Sequence, residues 1–128
     1  MNMHDSKKAL LLVAHGSRRA ASNLEVARLA EQLQADLKTD YAIVKAAFLE
    51  LAEPSIPDGI ESCAKAGAES VVVLPYFLNT GRHVAEDIPA EIDKARQHLP
   101  SLSIRLQDHI GALPEMHNLL LKAATDNQ

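Results

Sequence analysis

The chain has 128 residues, enough for one domain that buries roughly two-thirds of the surface its unfolded form exposes. Its 47% hydrophobic content suits a globular protein, and with two Tyr, two Phe and no Trp it lacks the aromatics that a base-stacking nucleic-acid surface needs. A net charge of -4 and a pI near 5.8 argue against holding nucleic acid or anionic membrane by bulk charge, and no run approaches the roughly 20 apolar residues of a membrane span. The expectation is a cytoplasmic domain with no nucleic-acid or membrane partner.

The first residues place Lys7 and Lys8 before an apolar run, as a secretory signal does, but the run is short and meets His15 instead of a cleavage site. Residues 1–8 read as a flexible lead, and Ala9 to Ala14 as a strand buried on both faces. From Ser22 to Lys38 the period changes. Val26, Leu29, Ala30, Leu33 and Leu37 share one helical face and Glu25, Arg28, Glu31, Gln32 and Asp36 the other. Tyr41 to Phe48 reads as a second strand, "EPSIPDG" breaks the chain, and a helix follows from Pro57 to Ala66, with Ser55 and Asp58 at capping-box spacing. Cys63, the single cysteine, sits among Ile60, Ala64 and Ala66 and reads as a small core residue.

Val71 to Phe77 carries a dense strand signal, and "LNTGRH" reads as the loop after it. A third helix shows Ile88, Ile92, Ala95 and Leu99 on its apolar face, with Pro89 in its first turn and Pro100 stopping it. Leu102 to Leu106 is a short fourth strand. A last helix is expected to turn Met116, Leu120 and Ala123 toward the core, with residues 125–128 as a flexible tail. The alternation implies an α/β fold, a four-stranded parallel sheet with helices on both faces.

Ligands of such sheets bind beyond the carboxyl ends of the strands. There the sequence places His15, Gly16, Ser17, Arg18 and Arg19 after the first strand and Glu50 after the second. Asn79 to His83 follow the third, and Asp108 and His109 the fourth. An imidazole there can accept a proton near neutral pH or coordinate a transition metal, and two should converge on one crevice, His15 and His83. Glu50 is a candidate third metal ligand, while Ser17, Arg18, Arg19 and Arg82 are candidates for binding an anionic substrate. His109 lies at the same end with no partner to single it out. His4, His98 and His117 carry no functional signal, and neither zinc-finger spacing, a phosphate-binding glycine loop nor an HExxH helix is present.

"LLLVAHGSR", "AFLELAEPSIPDGI" and "VVVLPYFLNTGRHVAEDIPAEI", in that order, resemble the small, single-domain CbiX-type sirohydrochlorin chelatases over about Ala9 to Ala112. The resemblance implies a flavodoxin-like domain that inserts a divalent metal, usually cobalt and in some relatives nickel or iron, into the tetrapyrrole sirohydrochlorin without a nucleotide. On that basis His15 and His83 are the catalytic, metal-binding pair and Glu50 an acidic residue by the metal. The metal is then a substrate, with no permanently bound cofactor. A non-catalytic metal or tetrapyrrole carrier would use the same histidines. Histidine phosphatases also place a His after the first strand, but with Arg directly before His-Gly, where this chain has Ala14. Because one small domain offers a wall more easily than an enclosure, a homodimer is expected.

Overall fold

The structure, a computed structural model, describes residues 7–126. Four strands, β1 (Lys8–Ala14), β2 (Ile43–Phe48), β3 (Ser70–Pro75) and β4 (Ser103–Leu106), form one parallel sheet in the order β2-β1-β3-β4. The register pairs Ala9 with Ile43 on one side of β1 and with Val71 on the other. Central β1 has no face toward water, which explains its unbroken apolar run: Ala9 to Ala14 are all buried. Lys8, expected in the flexible lead, is the first strand residue and pairs with Ser70. The rest of the lead through residue 6, including His4, and residues 127–128 of the tail lie outside the described residues.

Side chains alternate between the sheet's two faces. Ala9, Leu11, Val13, Val71 and Val73 pack on one face against α2 (Ile56–Lys65) and α3 (Ile88–His98), through Ile56, Ile60, Cys63, Ile88, Ile92 and Ala95. Leu10, Leu12 and Val44 pack on the other against α1 (Ala20–Asp36), whose Val26, Leu29, Ala30 and Leu33 form the expected stripe. The start of α2 follows its sequence signal: the Ser55 hydroxyl accepts the Asp58 backbone N–H at 3.2 Å. Cys63 is fully buried, as expected, and burial pushes its thiol pKa up against a smaller lowering effect of Lys45.

Two expectations fail. "GRH" does not belong to a loop. Gly81, at φ +48, turns the chain directly into a helix, and His83–Asp87 form a π-helical turn that runs into α3. Pro89 is the cause, because it has no N–H to give to residue 85 and its ring crowds that carbonyl; the chain widens by one residue and Ile88 N–H bonds to the His83 carbonyl instead.

The second failure is α4 (Glu115–Thr125), expected to send Met116, Leu120 and Ala123 into the core. None of its residues is buried, and Leu119, Leu120 and Leu121 are more than half exposed. A 3-10 turn, Ile110–Ala112, followed by Pro114 carries the helix off the sheet, so its apolar stripe finds no cover among the described residues. Helices therefore do lie on both faces, but three of the four do the covering.

Candidate functional site

β1 sends the chain one way to β2, and the return through α2 places β3 on the opposite side of β1. This reversal opens a crevice at the carboxyl ends of β1 and β3, the usual ligand position in such sheets. His15 follows β1 directly. His83 enters on the first turn of the helix after β3, and the two rings meet edge to face with centroids 4.6 Å apart. Phe77 stands edge-on to His15 at 6.5 Å.

Glu50 is brought to the same place by main chain and side chain together. Its N–H donates to the His15 carbonyl at 3.0 Å, and its carboxylate lies 3.1 Å from His15 Nε2. Gly16 makes the approach possible: at φ +99, a Cβ on it would fall 1.7 Å from the Glu50 carbonyl oxygen. Leu51, next along, has φ +68, a backbone region that bulky residues seldom enter. The backbone around Glu50 is thus held in an uncommon shape where it touches the histidine loop.

Each imidazole has Nδ1 against an oxygen. His15 Nδ1 lies 3.1 Å from the Gly16 carbonyl, which can only accept, so a proton on Nδ1 makes this contact a hydrogen bond. His83 Nδ1 lies 2.8 Å from Asp87 Oδ2. With the proton on Nδ1, each neutral ring has its lone pair on Nε2. At His15 that lone pair faces the Glu50 carboxylate, and only a proton or a cation between them makes the contact favourable. All four side chains are about half exposed, so solvent and small ions reach them. Among the described residues no three donors stand together at metal-binding distance; the arrangement consists of two pairs joined through the ring contact.

Ser17 sits between structure and crevice. Its backbone N–H and carbonyl are both held by the Asn23 side chain, at 2.9 and 2.8 Å, while its hydroxyl accepts the Arg19 N–H at 3.0 Å. Arg18 and Arg19 open α1 and Arg82 opens the opposite helix. All three are exposed, and among the described residues none has an ion-pair partner. His109 precedes the 3-10 turn and joins neither histidine; His98 lies in the last turn of α3 and His117 on exposed α4.

Sequence reasoning missed Asn23 and Asp87. Asn23 stands inside a helical stripe and holds a loop six residues back, a link that only the folded turn reveals. Asp87 could have been paired with His83 from the i,i+4 spacing, had "GRHVAED" been read as helix.

Comparison with known proteins adds the following. The CbiX family model matches residues 9–127. A chloroplastic sirohydrochlorin ferrochelatase of Arabidopsis thaliana is 40% identical over 117 residues, covering 91% of this chain and 49% of that protein. A sirohydrochlorin cobaltochelatase of Methanococcus maripaludis is 43% identical over 82 residues, 64% of this chain and 56% of that one. The crystal structure of the sirohydrochlorin chelatase SirB from Bacillus subtilis subspecies spizizenii in complex with cobalt superposes with a TM-score of 0.83 at 36% identity, over 94% of this chain and 51% of that one. The chain thus spans about half the length of the curated relatives it matches.

Proposed function

Because the chain belongs to the CbiX family, we propose that it inserts a divalent metal ion into sirohydrochlorin, without nucleotide and without a resident cofactor. The observation that carries this reading is the His15–His83 ring pair at the β1/β3 switch, with one Nε2 facing a carboxylate. Insertion exchanges two pyrrole N–H protons for one metal ion. A site for it needs donors that hold the ion while its waters leave and bases that take the protons. Two imidazoles with free Nε2 lone pairs meet both needs, and Glu50 offsets the ion's charge. Arg18, Arg19 and Arg82 are suited to the macrocycle's carboxylates, with the Ser17 hydroxyl free to donate beside them. Leu51 and Leu78, exposed after β2 and β3, offer the flat ring apolar contact.

We take cobalt as the working metal, supported by the cobaltochelatase name of one relative and the cobalt complex of another. The ferrochelatase name of the Arabidopsis relative supports iron equally directly, and imidazole donors suit iron, cobalt and nickel. An anaerobic absorbance assay of sirohydrochlorin with each metal, with and without protein, tests the reading. Catalysis gives many turnovers per chain and ranks the metals. A carrier gives spectral change only up to stoichiometry, and no acceleration at all refutes the proposal.

The working unit in this reading is a homodimer. The site is an open crevice, and the uncovered Leu119, Leu120 and Leu121 give a second copy an apolar surface to meet.

A further inference from the structure

We infer that Asp87 is a positioning residue for His83: its carboxylate accepts the Nδ1 proton and thereby reserves Nε2 for the metal ion or a pyrrole proton. The two residues are four apart in the π-helical turn, with Nδ1 and Oδ2 at 2.8 Å, the short distance of a charge-assisted hydrogen bond. Pro89 fixes this geometry from below. Without an N–H at residue 89 the chain takes the wide turn, in which His83 and Asp87 lie one turn apart.

His15 shows why the tautomer matters. There the Gly16 carbonyl, a main-chain acceptor, holds Nδ1, so the loop itself sets the ring. His83 stands on a helix whose carbonyls are engaged in helix bonding, and a side chain performs the same task. With Nδ1 protonated in each, the two rings reach the same state by different means, the lone pair on Nε2. A carboxylate on the far nitrogen also makes the imidazole a stronger donor.

A helix-surface pair as exposed as this one adds little to stability, so a purely structural role predicts almost no effect of its removal. Positioning predicts a different outcome, because Asp87→Asn keeps the shape yet can donate an N–H to Nδ1 and move the ring proton to Nε2. The inference rests on the metal-handling reading of the site, and one readout is independent of it. Long-range proton–nitrogen correlation spectra of the metal-free protein, at a pH where the ring is neutral, report the tautomer of His83 directly. The wild type should show the Nδ1–H form, and Asp87→Asn and Asp87→Ala should lose it, with circular dichroism and melting temperature unchanged.

Cobalt binding, followed by its visible absorption, should then weaken about 10- to 100-fold in Asp87→Asn, with Asp87→Glu recovering part of the loss. Band positions should stay as in the wild type, because Asp87 does not touch the ion. Wild-type His83 in the Nε2–H form overturns the inference, as does cobalt affinity in Asp87→Asn within twofold of wild type while His83→Ala loses it. Shifted cobalt bands would make Asp87 a ligand and overturn it too. Should His83→Ala itself bind cobalt like the wild type, the metal reading fails, and the tautomer spectra still decide the role of Asp87.

Discussion

Gly16 sets how closely the loops after β1 and β2 approach. Alanine there meets both a disfavoured positive φ, costing roughly 1–2 kcal/mol, and the Glu50 carbonyl, so Gly16→Ala should lower the denaturant midpoint and pull Glu50 away from His15. Glu50→Gln keeps the size and removes the charge; initial rates at limiting cobalt should fall, by less than for His15→Ala, and unchanged kinetics would make Glu50 an ordinary loop acid. Cys63 gives a third outcome. With its thiol buried and its ionisation suppressed, alkylating reagents should leave it untouched in the native protein and modify it on unfolding. The unfolded thiol ionises at a lower pH than the folded one, so this residue stabilises the fold below the ordinary thiol range and that contribution is lost as pH rises. That His15, Glu50 and His83 would meet was legible because strand ends announce themselves in the apolar pattern. Asn23 and Asp87 were not, because both act across turns whose shape no local pattern states.

Among the elements, the strands and the first two helices were readable to within two residues, since each has an apolar face and a matching surface to cover. Pro89 does lie in the first turn of α3, as expected; what the pattern did not show is that a π-helical turn precedes it, so that helix begins within "GRH". Periodicity identified α4 as a helix and gave its apolar stripe, but periodicity does not say what covers a stripe. The exposed leucines make a specific expectation. Replacing Leu119 and Leu120 together by Glu should change the melting temperature of isolated chains little, as surface substitutions do, and should abolish a dimer built on α4. Light scattering coupled to size exclusion at assay concentration checks this: about twice the chain mass for the wild type and the single mass for the variant. A wild-type monomer with full specific activity on dilution would contradict the homodimer.

For the whole molecule, the sheet order matters more than any single element. Placing β1 between β2 and β3 brings a strand-end histidine, a strand-end carboxylate and a helix-borne histidine to one edge, though residues 15, 50 and 83 are far apart in sequence. Arg18, Arg19 and Arg82, neighbours of the two histidines in sequence and without an ion-pair partner among the described residues, are the groups proposed to meet substrate carboxylates. The central claim is that the two facing histidines perform the insertion. It is tested most directly by the anaerobic initial rate of cobalt insertion into sirohydrochlorin for wild type, His15→Ala and His83→Ala, each shown by circular dichroism to be folded. The account predicts clear acceleration by the wild type over the protein-free reaction and a loss of at least about a hundredfold in each variant. Folded variants that turn over at the wild-type rate, at both limiting and saturating cobalt, would contradict it.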